Sequence, residues 1–147
     1  MNTARPFRLR ALWLVVFGLA CGVSGRTTAA EAVVNAQVPE QQVSTGDLRA
    51  IFTLRKRAWR DGTPIRLFVL PDNNELHQKF AKQQLRLYPY QLRQIWDRAV
   101  FSGTGAAPAL VGDAEEMLKA VGETPGAIGY TESAILPPSV RPAGAAP

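Results

Sequence analysis

Residues 43–70 constrain the fold of this chain more than any other stretch. Ser44 is a typical N-cap residue, and Asp47 three positions later completes a capping-box pattern that predicts the start of a helix. The apolar residues that follow recur at helical spacing, and the Asp-Gly pair at 61–62 predicts a tight turn. Residues 65–70 are apolar enough to form a strand covered on both faces. A helix that leads through a turn into a buried strand is typical of an α/β domain.

The rest of the chain continues this alternation of strands and helices. Further strands are predicted at residues 32–38, 109–111 and 127–131, and further helices after Asp72, Pro89 and Asp113. Strands that alternate with helices predict an α/β fold with a small, mostly parallel sheet flanked by helices.

The chain divides into three predicted segments. Residues 1–30 are typical of a secretory signal peptide, because three arginines precede a short apolar run and small residues precede position 31. Residues 31–132 are long enough for one α/β domain with one core. Residues 133–147 are rich in Pro and Ala and lack periodicity, which predicts a disordered tail. This arrangement predicts a periplasmic or secreted protein.

Two alternatives for the first thirty residues remain open. The apolar run at residues 11–23 could stay in place as an N-terminal membrane anchor, although it is short for a helix that spans a bilayer. Cys21 could instead carry a lipid anchor, although Gly18 stands where the usual lipobox has leucine. In each case the chain contacts a membrane only through this segment.

The charge balance does not support a nucleic-acid surface. The whole chain has 17 basic and 12 acidic side chains and a net charge of +5. Four arginines lie in the first thirty residues, where no acid lies, so the remainder has thirteen basic and twelve acidic side chains. We therefore expect no nucleic-acid partner.

Side chains that bind metals or act as nucleophiles are scarce. Cys21 is the single cysteine and falls in the predicted signal peptide, so the mature chain would have no disulfide and no thiolate. His77 is the single histidine, and no serine or carboxylate forms a recognisable triad with it. We expect no metal, no cofactor and no enzymatic activity.

Two motifs together resemble a known family. The first is L-x-x-I-F at 48–52 followed by W-x-D-G-x-x-I at 59–65, and the second is P-G-A-I-G-Y at 125–130. In this order and spacing they resemble the phosphate-type solute-binding proteins of bacterial ABC transporters, which have the type 2 periplasmic-binding fold. The resemblance covers residues 32–131. It implies one lobe of that fold, with a small oxyanion such as phosphate as the ligand.

The turn after the second predicted strand is the best candidate ligand site. Ligands of open α/β sheets bind at the carboxyl ends of strands, and helix N-termini present free N–H groups to anions. We therefore expect Asp72, Asn73 and Asn74 to bind the ligand, or, alternatively, only to cap a helix. The family's Arg-x-Asp-Gly-Ser-Gly-Thr motif is altered here, because Leu70 replaces the arginine and Asn-Glu-Leu at 74–76 replaces the Ser-Gly-Thr cradle.

Two further stretches have polar chemistry. The Gly-rich loop at 101–105 contains Ser102 and Thr104, and such loops can form anion nests, so both are predicted ligand residues. The alternative is a helix stop and connector. The basic run at residues 55–60 suits an anionic lipid, an acidic partner or a polyanion, or is simply a solvated helix end.

These observations predict a secreted or periplasmic solute-binding-like module that holds a small oxyanion without catalysis. The alternative is an interaction or accessory domain of the cell envelope that has lost the ligand site and contacts another envelope protein. A pocket with convergent N–H groups at Asn73 and Asn74 would favour the first hypothesis. An exposed apolar patch near Trp59 or Tyr90 would favour the second.

Overall fold

The structure, a computed structural model, describes residues 29–144. Within this range the elements are β1 (Glu31–Asn35), α1 (Thr45–Phe52), β2 (Arg66–Val69), α2 (Glu75–Phe80), α3 (Pro89–Phe101), β3 (Ala109–Leu110), α4 (Ala114–Glu123), β4 (Ala127–Thr131) and β5 (Val140–Pro142). α2 continues into a π-helical turn at Ala81–Leu85. The predicted signal peptide lies outside the described residues except for its last two positions. In the described range, no helix has both the length and the apolar character needed to cross a membrane.

The five strands form one mixed sheet in the order β3-β2-β4-β1-β5. β2 runs parallel to both β3 and β4, whereas β1 runs antiparallel to both β4 and β5. The predicted α/β class is confirmed, and the sheet is mixed rather than mostly parallel. The difference arises at β1 and β5, because a strand pattern in a sequence carries no information on strand direction.

The helix predicted after Ser44 is present as α1. The Ser44 hydroxyl accepts a 3.0 Å hydrogen bond from the backbone N–H of Asp47 and donates to the Asp47 carboxylate at 2.9 Å. The cap therefore satisfies one of the free N–H groups in the first turn of the helix. The apolar stripe that follows packs into the core through Leu48, Ile51 and Phe52.

Two buried tryptophans join distant parts of the chain. The indole N–H of Trp59 donates to the carbonyl of Gly126 at 2.9 Å, and that of Trp96 donates to the carbonyl of Phe52 at 2.7 Å. Gly126 has a φ of +75°, and a Cβ there would lie 2.5 Å from the carbonyl oxygen of Pro64. The turn before β4 therefore needs glycine, both for its backbone conformation and for its close approach to the turn before β2.

The prediction of a disordered tail at residues 133–147 is wrong as far as residue 144, where the described range ends. β5 lies in this segment and pairs with β1. The side chain of Val140 is buried, and Arg141 donates hydrogen bonds to the carbonyl groups of Val38 and Glu40. A strand of three residues is too short to show a periodic pattern, and its proline is tolerated because β5 lies at the edge of the sheet.

β5 should contribute to the stability of the domain. We expect Val140→Asp to lower the free energy of unfolding by about 2–3 kcal/mol, because the charge forces β5 off the sheet. Ile135→Asp, at a side chain that is 84% exposed in the same segment, should change it by less than about 0.5 kcal/mol. Urea denaturation measures the free energy of unfolding of the two variants. Equally small effects of both substitutions would support the prediction that this segment is disordered.

Candidate functional site

The candidate site lies where β2 ends and the chain turns into α2. The backbone N–H of Asn74 donates to the carbonyl of Pro71 at 2.9 Å and closes the turn. This is the carboxyl end of β2, the position at which open α/β sheets bind their ligands. The structure thus places three of the five predicted ligand residues, Asp72, Asn73 and Asn74, in one turn.

α2 is capped by Asn74. The side-chain oxygen of Asn74 accepts hydrogen bonds from the backbone N–H groups of Leu76, at 2.9 Å, and His77, at 3.4 Å. Of the three residues that were predicted as an alternative cap, Asn74 caps the helix and Asp72 does not, because the Asp72 carboxylate turns toward α3 instead. The first N–H groups of α2 are those that an anion would use, and the amide oxygen of Asn74 already occupies them.

The carboxylate of Asp72 pairs with Arg93 of α3 through two hydrogen bonds, at 2.9 Å and 3.2 Å. The Arg93 guanidinium also lies over the ring of Trp96, 5.4 Å from its centre. The hydrogen bond with Asp72 raises the pKa of Arg93, so the guanidinium keeps its charge. Two parallel bonds make this the stronger form of ion pair, although both side chains are partly exposed. A cation that could hold an anion at this turn is therefore already neutralised.

The other polar side chains of the turn do not complete an anion cradle. Asn73 is exposed, and Glu75 adds a negative charge in the first turn of α2. With Asp72 and Arg93, the turn has two carboxylates and one guanidinium, so an oxyanion would meet net repulsion. Among the residues that the structure describes, no group of three or more His, Cys, Asp or Glu side chains could hold a metal ion.

His77 of α2 and Tyr130 of β4 form a buried pair beside the turn. The Tyr130 hydroxyl accepts a 2.8 Å hydrogen bond from the backbone N–H of Leu70 and lies 2.6 Å from Nδ1 of His77. The other ring nitrogen, Nε2, lies 3.9 Å from a carboxylate oxygen of Asp72 and has no hydrogen-bond partner within residues 29–144. The negative charge of Asp72 favours a proton on Nε2, so Nδ1 accepts a hydrogen bond from the Tyr130 hydroxyl.

Burial keeps both members of this pair neutral. Burial lowers the pKa of His77, the charge of Asp72 raises it in part, and the charge of Arg93 lowers it again. Burial also raises the pKa of Tyr130 well above its usual value. Neither side chain is exposed to solvent, so the pair joins β2, α2 and β4 and is not placed to exchange a proton with a bound molecule.

Ser102 and Thr104 lie at the opposite end of the sheet. Their hydroxyl groups are 2.8 Å apart, and both lie within hydrogen-bond distance of the carbonyl of Ala99. Their loop leads into the amino end of β3, which runs parallel to β2. α3 rises by about 13 Å between Arg93 and Ser102. The structure therefore does not bring the five predicted ligand residues together.

Sequence reasoning missed the residues that determine the chemistry of the turn. Arg93 is 21 positions from Asp72 on a separate helix, so no local pattern pairs the two. Tyr130 could have been identified from the sequence, because a tyrosine hydroxyl at the end of an apolar strand pattern needs a buried hydrogen-bond partner. His77 gave a weaker signal as the single histidine in a predicted helix.

Because of His77, we expect the free energy of unfolding to decrease as the pH falls below neutral. The pKa of His77 is lowered in the folded state, so the unfolded chain binds the proton first as the pH falls through about 6.5, and the free energy of unfolding declines from there. His77 is the single histidine, so His77→Gln should flatten this dependence between about pH 7 and pH 5.5. Chemical denaturation at several pH values measures both curves, and equal slopes would contradict the prediction.

Comparison with solved structures finds a similar fold. The chain is similar to an ABC-type phosphate transport receptor from Vibrio cholerae, with a TM-score of 0.57 and 13% sequence identity. The match covers 78% of this chain and 44% of the receptor, so it spans less than half of that protein. No protein-family model and no curated protein matches the chain. At this identity the similarity shows the fold alone, which is an α/β fold like one lobe of a periplasmic-binding protein.

Proposed function

We propose that this chain is a non-catalytic, solute-binding-like module of the cell envelope that works through contact with another protein. The observation that carries the proposal is that the chain's own groups fill the place of an anion at the turn after β2. The Asn74 amide satisfies the N–H groups at the start of α2, and Asp72 neutralises Arg93. A phosphate would have to displace both, and the cost of breaking those bonds would be subtracted from its affinity.

An exposed aromatic pair supports a protein partner. Tyr88 and Tyr90, at the start of α3, are 54% and 60% exposed. Their ring centres lie 5.8 Å apart in a stacked arrangement, and the ammonium of Lys82 lies 5.7 Å from the centre of the Tyr88 ring. Tyrosine is enriched at protein interfaces, because its ring buries apolar area while its hydroxyl can still form a hydrogen bond. Trp59, by contrast, is buried and presents no surface.

We also propose that the module lies in the periplasm or outside the cell. The signal-peptide pattern at residues 1–30 supports this location, and so does the solute-binding-like fold. Residues 1–40 fused to a reporter enzyme that is active only after export should give activity, and the same fusion without residues 11–23 should not. An inactive first fusion would contradict the proposed location.

A small oxyanion is the second candidate partner, because one observation favours it. The turn keeps its position at the carboxyl end of β2, and Arg93 reaches it from α3. In this case the anion would replace the Asp72 carboxylate as the partner of the guanidinium. The similarity to a phosphate transport receptor supports the same alternative.

Anion titration separates the two functions. We expect phosphate or sulfate at about 1 mM and low salt to leave the melting temperature of the chain unchanged. A ligand with a Kd of about 1 µM would add about 4 kcal/mol at this concentration and would raise the melting temperature by several degrees. Calorimetry would detect the same binding as heat.

Two matched variants make the anion test specific to the turn. Asp72→Ala frees Arg93 and should introduce weak binding of phosphate, whereas Glu75→Ala removes a carboxylate from the same turn without freeing Arg93 and should not. Binding of phosphate by the unaltered chain, with loss of binding in Asn74→Ala, would overturn the proposed function and establish the turn as a ligand site.

A further inference from the structure

An apolar groove lies at the opposite end of the sheet from the Asp72 turn. It has a volume of about 200 Å³ and runs beside the first residues of β2 and the loop that leads into β3. Its apolar walls are formed by Leu54, Ile65, Phe68, Ala107 and Pro108. An apolar groove on the surface of a soluble domain is a common place for a partner side chain to bind.

Two guanidinium groups line the same groove. Arg57 follows α1 and Arg66 begins β2, and both side chains are exposed. Neither guanidinium has a hydrogen bond or an ion pair within residues 29–144, whereas those of Arg93 and Arg141 are both engaged. Free guanidinium groups beside an apolar groove favour a ligand that carries carboxylates next to an apolar side chain.

The edge of the sheet beside the groove is open. β3 is an edge strand, and within the described range only β2 pairs with it. The backbone N–H of Val111 donates to the carbonyl of Val69, so the alternation of a strand directs the N–H and C=O of Leu110 away from β2. The Leu110 side chain is 61% exposed. An extended polypeptide can pair with an edge of this kind.

The residues outside the described range carry no acidic side chain. Residues 1–28 contain arginines and no acid, and residues 145–147 are Ala-Ala-Pro. The two free guanidinium groups match a segment that carries acidic side chains, and such a segment on a partner protein would complement the charge of the groove.

We propose that the groove binds an extended, acidic segment of a partner protein. One apolar side chain of the segment lies between Ile65 and Phe68, and its carboxylates pair with Arg57 and Arg66. Side chains two positions apart share one face of an extended segment, so the apolar and acidic residues of the partner stand at i and i+2. This inference rests on the proposed function, because it names the chemistry of the protein that the module contacts.

Fluorescence anisotropy with labelled eight-residue peptides tests the inference on the full chain. Peptides with leucine and glutamate two positions apart should bind, and the same peptides with glutamine for glutamate should bind at least about tenfold more weakly. Arg57→Gln/Arg66→Gln should weaken the acidic peptides by a similar factor. Arg49→Gln/Lys119→Gln removes the same charge from other exposed positions and should have little effect.

A second variant tests the groove without removing either arginine. Ala107 is exposed, so Ala107→Glu should leave the melting temperature unchanged and weaken the acidic peptides through repulsion and steric block. Unweakened binding in this variant would contradict the groove as the binding site.

Four further results would overturn the inference. The first is that no peptide binds at about 1 mM, and the second is that the two double variants weaken binding equally. The third is that polyglutamate without leucine binds as tightly as the peptides that contain leucine. The fourth is that vesicles of anionic phospholipid bind more tightly than any peptide. Phosphate binding at the Asp72 turn would instead overturn the proposed function and would leave peptide binding that depends on Arg57 and Arg66 intact. The two failures are therefore distinguishable.

Discussion

The centre of the fold depends on one hydroxyl group, that of Tyr130. Tyr130 lies on β4, between β2 and β1, and its oxygen joins the end of β2 to His77 of α2. Its ring stacks on Phe80 with the ring centres 4.3 Å apart. Loss of this hydroxyl would leave a buried N–H and a buried ring nitrogen without partners, so the contacts support one another. The central strand therefore holds the turn after β2 in place through contacts within the chain.

The charges of that turn follow from this placement. Asp72 pairs with the guanidinium of Arg93, and one of its carboxylate oxygens also lies 3.9 Å from Nε2 of His77. A carboxylate that accepts two hydrogen bonds from one guanidinium has little left to offer a ligand. Asp72 is the acid that the family resemblance indicates as a ligand residue. Its neighbours differ from the family motif, and with those neighbours the same acid supports the fold.

The parts of this structure that could be predicted are those encoded over a few residues. The start of α1 follows from Ser44 and its neighbours, and the α/β class follows from local periodicity. The parts that could not be predicted depend on contacts between distant residues. β5 gains its partner from β1, about a hundred positions away, and the Arg93 that turns Asp72 away from the cap of α2 lies on a later helix. The position of the turn after β2 could therefore be predicted from the sequence, while the pairing of Asp72 with Arg93 could not.

The two ends of the sheet differ in which charges remain available. At the carboxyl end, the cation that could receive an anion is paired inside the chain. At the amino end, within the described range, Arg57 and Arg66 are unpaired beside an apolar groove and an open strand edge. Two proteins can share a fold and still bind their ligands at different places, since function depends on particular side chains and not on the fold. In this chain, the similarity to a solute-binding fold suggests a binding site at the carboxyl end of the sheet. The unpaired guanidinium groups suggest a binding site at the amino end instead.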